Sequence, residues 1–239
     1  MVDNGTFDER LRSEYDPELF DAGLRKKNAK RLYEALKLSG LWHNSIQLLD
    51  VGSGTGLLLS ALGSGVGLRI GCDLRRNLYL RVSDQIKDVH FAQADGCALP
   101  FPKDHFDMVT CLAVIEEISD WPAMLREMGR CVAPSGILYV TIVNGRLLLR
   151  LYAIARKLGF PIRENWWAYA TKANASLKVL IPEDGMGVLK MMNWRFVDVT
   201  PYLVQSQWPW SRLMPISFLR WIMRFIAPSY GYAWQKLKR

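Results

Sequence analysis

Residues Leu48 to Gly56 read LLDVGSGTG: an apolar run that carries one acid and is followed by three glycines at alternate positions. Glycine adopts positive φ without strain and lets the backbone lie close to a ligand, so this spacing predicts a tight loop after a strand. A dinucleotide site needs G-x-G-x-x-G, and Leu57 occupies the position of its third glycine. Asp50 precedes Gly52 by two residues and would repel a diphosphate. The loop therefore suits a ligand without phosphate.

Strand-length apolar runs alternate with helical patterns on both sides of this loop. The predicted strands are Ile46–Val51, Leu68–Cys72, His90–Ala94, Phe106–Leu112 and Ile137–Val143. Helices are predicted from Gly56 to about Gly63 and from Asp120, with Pro122 in its first turn, to Val132, and Pro134 to Gly136 predict a turn. Strands that alternate with helices at short spacing indicate parallel βαβ units. We therefore expect an α/β fold with a Rossmann-like, doubly wound, mostly parallel sheet.

Four regions follow from these patterns. Residues 1–45 form an N-terminal helical segment, with a helix over Asp16–Leu38 that ends at Gly40, and residues 46–144 form the core. Residues 145–193 form a helical and aromatic insertion over the carboxyl ends of the strands. Residues 194–239 hold the final strand or strands and a basic aromatic tail. Within the last two regions we predict a helix over Arg146–Leu158, an aromatic loop over Phe160–Ala173, a helix over Asp184–Met192 and a strand over Trp194–Thr200.

The motif DVGSGTG, followed by acids at Asp73 and Asp95, resembles the S-adenosyl-L-methionine (SAM) site of class I methyltransferases. The resemblance is to the small-molecule branch that includes quinone and sterol methyltransferases (methyltransferase type 11), and it covers roughly Gln47 to Asn144. Any one of these acids could be a solvated loop residue. Three acids at the ends of successive strands are harder to explain in that way. The resemblance implies SAM as cofactor and no metal.

The resemblance also implies a role for each site residue. The backbone at Gly52, Gly54 and Gly56 would pass under the methionine part of SAM, and Asp50 would lie near its amino group. Asp73 would accept from the ribose hydroxyls, and Asp95 from the adenine amino group. The remaining contacts would be Leu74 against the adenine face, Gly96 and Cys97 through their backbone, and Leu112 at the floor of the cavity.

Candidates for a general base lie shortly after the fourth predicted strand. Residues 114–118 read VIEEI, and Glu117 stands where related enzymes often have a histidine. Glu116 and Glu117 are therefore candidates for acceptor contact or proton removal. An acid pair at a helix start, favoured by the helix dipole, is an equally good explanation. His43, His90 and His105 are expected in surface or capping roles, and Tyr15 either closes over SAM or packs.

The carboxyl-terminal region is basic and aromatic. The chain has 31 Lys and Arg against 23 Asp and Glu, and no acid follows Val199. A predicted helix over Ile216–Ala227 has apolar residues on one face and Arg220 and Arg224 on another. Such a helix either lies in a membrane interface or docks on the core. Binding of RNA is less favoured because no nucleic-acid-binding module is recognisable.

The cysteine spacing and the expected absence of targeting signals limit the possible functions. Cys72, Cys97, Cys111 and Cys131 are widely spaced without a zinc pattern, which favours reduced thiols in a cytoplasmic protein. Neither a secretory signal nor a transmembrane helix is expected. The sequence thus predicts a SAM-dependent methyltransferase acting on a small, lipophilic acceptor such as a lipid or quinone, with the aromatic insertion and tail around the acceptor. The alternatives are an RNA or protein methyltransferase that docks through the basic tail, and a non-catalytic SAM-binding protein.

Overall fold

A computed structural model describes residues 45–62, 67–76, 88–143, 145–160, 194–197 and 229–237, and isolated positions 30, 33–34, 37, 40, 78, 171 and 215. A sheet of seven strands forms its centre, in the order β3-β2-β1-β4-β5-β7-β6. The strands are β1 (Leu48–Val51), β2 (Arg69–Asp73), β3 (His90–Gln93), β4 (Phe106–Leu112), β5 (Val132–Val143), β6 (Trp194–Val197) and β7 (Ser229–Lys236).

All strands but one run in the same direction. The pairs β1–β2, β2–β3, β1–β4 and β4–β5 are parallel, whereas β7 is antiparallel to both β5 and β6. The expected Rossmann-like, mostly parallel sheet is therefore confirmed.

Strand β1 shows that the sheet is covered on both faces. All four of its residues are buried. Leu49 and Val51 belong to one apolar cluster, and Leu48 belongs to a second cluster on the opposite face. Side chains alternate along a strand, so a central strand covered on both sides reads as an uninterrupted apolar run.

Short helices cover the two faces. Helix α1 (Leu57–Ala61) contributes Leu58 and Leu59 to the second cluster, and α2 (Trp121–Cys131) contributes Met124, Leu125 and Met128 to the first. The α2 helix begins as predicted, because the Asp120 carboxylate accepts a 3.0 Å hydrogen bond from the Ala123 amide. A 3-10 helix (Ile115–Glu117) follows β4, and helix α3 (Gly145–Lys157) follows β5.

Strand β5 begins earlier than predicted. Val132 pairs with Phe106, and after a register shift Ile137 pairs with Met108, so the Pro134–Gly136 segment lies inside the strand. Ser135 has φ of +67° there. The turn residues produce an irregularity in the β4–β5 ladder because pairing on either side of them holds the strand together.

The last strand lies in the region predicted to hold the final strand or strands and a basic aromatic tail. Residues 229–236 form β7, which lies between β5 and β6, and the Trp234 side chain is buried in the first cluster. Tyr232 stacks on Trp234 with ring centroids 5.8 Å apart. These two aromatic side chains therefore contribute to the core of the sheet.

Other predictions fall wholly or partly outside the described residues. Lys30, Tyr33, Glu34 and Lys37 are helical and Gly40 has φ of +71°, in agreement with the carboxyl-terminal part of the predicted helix over Asp16–Leu38. Several predicted elements lie outside the described residues: the helices over Asp184–Met192 and Ile216–Ala227, most of the Phe160–Ala173 loop, and residues 198–200 of the Trp194–Thr200 strand. Tyr15 and His43 also lie outside them.

Candidate functional site

The glycine loop occupies the point where the strand order changes direction. From β1 the chain passes to β2 on one side of the sheet and later to β4 on the other, so the crevice at the carboxyl end of β1 lies between two diverging connections. Ligands of open α/β sheets bind in such crevices. The amides of Gly52 and Ser53 both donate to the Cys72 carbonyl at the end of β2, which anchors the loop.

The loop needs glycine for two different reasons. Gly52, Gly54 and Gly56 have φ of +73°, +54° and +69°, a region that L side chains rarely adopt. A Cβ built on Gly52 would also overlap the methyl groups of Val114, whereas a Cβ on Gly54 would meet no atom of the described chain within 4 Å. Gly52 therefore serves packing, and Gly54 faces open space beside the loop.

Asp73 ties the glycine loop to β2. Its Oδ2 accepts a 3.0 Å hydrogen bond from the Gly54 amide, and its Oδ1 accepts one of 2.9 Å from the Arg75 amide. The Arg75 Nε also lies 3.4 Å from Oδ1. The carboxylate is thus oriented before any ligand arrives, and Oδ2, which accepts one hydrogen bond and has two lone pairs, retains capacity to accept from a hydroxyl.

Asp50 lies inside the sheet rather than on a loop. Thr110 Oγ1 on β4 is 2.6 Å from Asp50 Oδ1 and 3.4 Å from the Leu49 carbonyl. Burial raises the pKa of Asp50 to about 7; the Thr110 hydrogen bond opposes the shift, and the nearby Asp73 carboxylate adds to it. Asp50 therefore changes charge close to neutral pH, and Thr110 is a partner that the motif did not reveal.

Asp95 begins the loop after β3. Its Oδ1 accepts a 2.8 Å hydrogen bond from the Cys97 amide, and the residue is exposed. A Cβ on Gly96 would lie 2.9 Å from the terminal methyl of Met124, so close packing on α2 explains this glycine. Burial, followed by the charges of Asp95 and Asp120, raises the pKa of Cys97 to about 11. The thiol is therefore neutral and a poor nucleophile.

A salt-bridged pair on α2 holds the same loop. Arg130 donates to the carbonyls of Leu99 and Phe101 at 2.9 and 2.8 Å, and its Nη2 lies 2.8 Å from the Glu127 carboxylate. Glu127 in turn accepts a 3.0 Å hydrogen bond from the Leu99 amide. The contacts with Leu99 and Phe101 join residues about thirty positions apart, and no sequence motif indicated them.

The end of β4 brings the candidate acids to the glycine loop. Leu112 is half-buried, and Ala113 turns the chain with φ of +54° while its amide donates to Thr141 Oγ1. Val114 then packs against Gly52, and the 3-10 helix with Glu116 and half-buried Glu117 follows it directly in the chain. The helix dipole explanation for this acid pair is weakened, because the acids lie in a single 3-10 turn and not at the start of α2.

The other titratable groups considered from sequence lie elsewhere. His90 and His105 are exposed, and the His105 ring packs edge-on against Phe106 with centroids 4.9 Å apart. All four cysteines are free thiols, and burial raises the pKa of Cys72 and Cys131. Within the described part of the chain, no cluster of His, Cys, Asp and Glu has the arrangement of a metal site.

The site is therefore acidic, with an open glycine backbone at its centre. Asp50, Asp73 and Asp95 belong to three neighbouring strands or their ends, and Leu74 is 42% exposed next to Asp73. Carboxylates accept from hydroxyl and amino groups, whereas they repel a diphosphate. The residues fit a cationic ligand that carries a ribose and an adenine, as expected for SAM.

Comparison with protein families gives an independent result. The family model of a methyltransferase domain (Methyltransf_11) matches residues 49–140. The ubiquinone/menaquinone biosynthesis C-methyltransferase UbiE of Vibrio vulnificus is 34% identical over 103 residues, which are 39% of this chain and 40% of UbiE. The chain thus spans about two fifths of the length of the curated relatives it matches.

Two solved structures show the same fold over most of the chain. Phosphoethanolamine N-methyltransferase 2 of Haemonchus contortus, in complex with S-adenosyl-L-methionine, has a TM-score of 0.55 at 20% identity and covers 87% of this chain and 52% of its own. The plantazolicin methyltransferase BpumL, in complex with S-adenosylhomocysteine (SAH), has a TM-score of 0.61 at 9% identity and covers 99% and 92%. At these identities the likeness is one of fold.

Proposed function

We propose that this chain, whose residues 49–140 form a class I SAM-dependent methyltransferase domain, transfers a methyl group from SAM to a small, lipophilic acceptor. The observation that carries the proposal is the oriented pair of Gly54 and Asp73. The Gly54 amide donates to the Asp73 carboxylate at 3.0 Å, so the open glycine backbone and the expected ribose acceptor form one unit.

Each site residue has a physical task in this proposal. The Gly52–Gly56 loop leaves room for a ligand against the backbone, and Asp73 accepts from hydroxyl groups of a ribose. Asp95, fixed by the Cys97 amide and supported by Arg130, accepts from an amino group. Leu74 offers an apolar contact for a flat ring, and Asp50 provides a nearby charge for an ammonium group. SAM, when bound, supplies a methyl group on a sulfonium, which is an excellent leaving group.

The chain's contribution to the reaction is then orientation and exclusion of water. Well-oriented intramolecular reactions reach effective molarities of about 10⁵ M and above, so alignment alone accounts for a large acceleration. A base is needed only when the attacking oxygen or carbon must lose a proton. Glu117, with Glu116 beside it, is our candidate for that proton, since the 3-10 helix lies against the glycine loop through Val114.

The lipophilic acceptor is proposed from composition and from relatives. Half of the chain is apolar, and the relative UbiE is a quinone C-methyltransferase. Among the described residues, no helix combines the length and apolar character needed to span a bilayer. A cytoplasmic location and attachment to a membrane surface through residues 216–227 are further parts of the proposal.

Two measurements test the cofactor and the reaction separately. Calorimetry should show binding of SAM and SAH and none of NAD, because Asp50 and G-x-G-x-G disfavour a diphosphate; comparable NAD binding would contradict the cofactor assignment. Incubation with methyl-labelled SAM and separated cell fractions of lipid, RNA and protein should label the lipid fraction. Label in RNA or protein would identify a macromolecular acceptor, and SAM binding without label in any fraction would indicate a non-catalytic protein.

A further inference from the structure

The surface of helix α3 carries apolar side chains that the described fold leaves exposed. No side chain described between residues 148 and 160 is buried. The exposed apolar members are Leu151 at 48%, Ile154 at 55%, Leu158 at 69% and Phe160 at 62% exposure. Single exposed apolar residues are common, but four within ten positions form a patch of the kind that marks an interaction site.

The three aliphatic side chains form one stripe. At 100° per residue, Leu151, Ile154 and Leu158 lie within about 60° of one another on the helix surface. Arg150 and Lys157, both exposed, lie within about a further 60° on one side of that stripe. The outward face of α3 therefore combines aliphatic and cationic side chains instead of segregating them.

The end of α3 fixes the fourth apolar residue. The Gly159 amide donates to the Arg156 carbonyl and the Phe160 amide donates to the Ala155 carbonyl, with Gly159 at φ of +81°. This is the Schellman arrangement, in which a left-handed glycine reverses the chain at a helix end. The backbone of Phe160 is thereby held at the end of the stripe although its ring is exposed.

We propose that this α3 surface, defined as Arg150, Leu151, Ile154, Lys157, Leu158 and Phe160, docks on an anionic lipid bilayer. Residues 145–160 contain four basic residues and no acid, and two of the four, Arg150 and Lys157, lie beside the aliphatic stripe where they complement a negative surface. Aliphatic side chains insert at the acyl boundary, and flanking cations meet the headgroups. A nucleic-acid surface would instead need aromatic rings for base stacking, and the stripe itself is aliphatic.

The proposal is independent of the methyltransferase activity, because vesicle binding is measured without acceptor or turnover. Full-length protein is sedimented with vesicles of phosphatidylcholine alone and with vesicles containing 30% phosphatidylglycerol. We expect binding to the anionic vesicles that weakens roughly thirtyfold in Arg150→Gln/Lys157→Gln, since each charge near such a surface contributes a factor of about five. High salt screens the charges, so the binding that remains in high salt comes from the aliphatic side chains. The variant Leu151→Gln/Ile154→Gln/Leu158→Gln should lose this remaining binding.

A matched control keeps the net charge equal. Arg126→Gln/Arg156→Gln also removes two exposed cations, but Arg126 lies on α2 and Arg156 on another side of α3, so vesicle binding should stay within about twofold of wild type. SAH calorimetry of every variant reports whether the core is intact. Absence of wild-type sedimentation, or equal weakening in both charge variants, would overturn the proposal. Loss of binding only in Arg220→Gln/Arg224→Gln would assign docking to residues 216–227, and binding to single-stranded RNA in place of vesicles would overturn the lipid assignment.

Discussion

Lys236 Nζ lies 2.6 Å from Asp104 Oδ1, joining the end of β7 to the turn before β4 across 132 positions of sequence. The same ammonium donates to the Gly129 and Val132 carbonyls at the end of α2, at 2.9 and 2.6 Å. A cation at the carboxyl end of a helix is favoured by the helix dipole. The side chain thus fastens the inserted antiparallel strand to the parallel core.

Replacement of Lys236 by methionine should lower the free energy of unfolding by about 2 to 3 kcal/mol, because a charged hydrogen-bonding group contributes roughly that much. Urea unfolding measures the change. Lys103→Met is the control, because the Lys103 ammonium lies 3.6 Å from the other Asp104 oxygen but its side chain is 64% exposed. It should change stability by no more than about 0.5 kcal/mol. Equal losses in the two variants would mean that burial of Lys236 adds nothing.

The two glycines of the loop should respond differently to alanine. Gly52→Ala combines positive φ with overlap on Val114, so we expect a loss of roughly 2 to 4 kcal/mol in stability. Gly54→Ala meets open space and should cost only about 1 to 2 kcal/mol, from φ alone, while weakening SAH binding. Thermal unfolding and SAH calorimetry give the two quantities. Val114→Ala in the Gly52→Ala background should recover part of the loss, and no recovery would disprove the packing explanation.

Asp73→Ala should reduce SAM affinity more than Asp95→Ala, because Asp73 would accept from two ribose hydroxyls and Asp95 from one amino group. One extra charged hydrogen bond of roughly 1.5 to 3 kcal/mol corresponds to about tenfold or more in Kd. Calorimetry on both variants gives the ranking. Asp73→Asn retains an acceptor for the Gly54 amide, so it separates loss of the loop contact from loss of ribose contact. Equal or reversed losses for the two alanine variants would refute the ranking.

Stability should depend on pH through Asp50. Burial raises the pKa of this carboxyl from its ordinary 3.8 to about 7, so the folded protein holds the proton more tightly than the unfolded chain does. The resulting stabilisation is complete below the ordinary pKa and is lost as pH rises toward 7. Between pH 5 and 7 the wild type should lose roughly 2 kcal/mol of stability relative to Asp50→Asn, because the slope is about 1.4 kcal/mol per pH unit and decreases as pH approaches 7.

Urea unfolding of the wild type and of Asp50→Asn from pH 5 to 8 measures this difference. The contributions of other titrating groups cancel, because those groups are present in both proteins. Cys72 and Asp73 are the neighbouring titratable groups, and neither is changed by the substitution. Parallel pH profiles of the two proteins would show that Asp50 titrates in the ordinary range. Thr110→Val should extend the loss of stability to higher pH, because the Thr110 hydroxyl lowers the pKa of Asp50.

The sequence by itself determined the parallel part of the sheet and the position of the glycine loop. Strands β1 to β4 and helix α2 lie within two residues of their predicted bounds, since buried runs, an Asp cap and glycines at positive φ are encoded locally. The Methyltransferase domain match over residues 49–140 covers this same part. The positions of the site acids are likewise local, because Asp50 and Asp73 lie in β1 and β2 and Asp95 lies two residues after β3.

Only the tertiary structure decided how distant parts meet. The pairing of β7 with β5, the Lys236–Asp104 contact and the Thr110–Asp50 hydrogen bond join residues that are 60 or more positions apart. Such contacts depend on which strand satisfies the open edge of β5 and on which buried polar groups then need partners. No local periodicity carries that information, so the pattern of residues 194–239 predicted a final strand or strands without revealing that β7 runs antiparallel between β5 and β6.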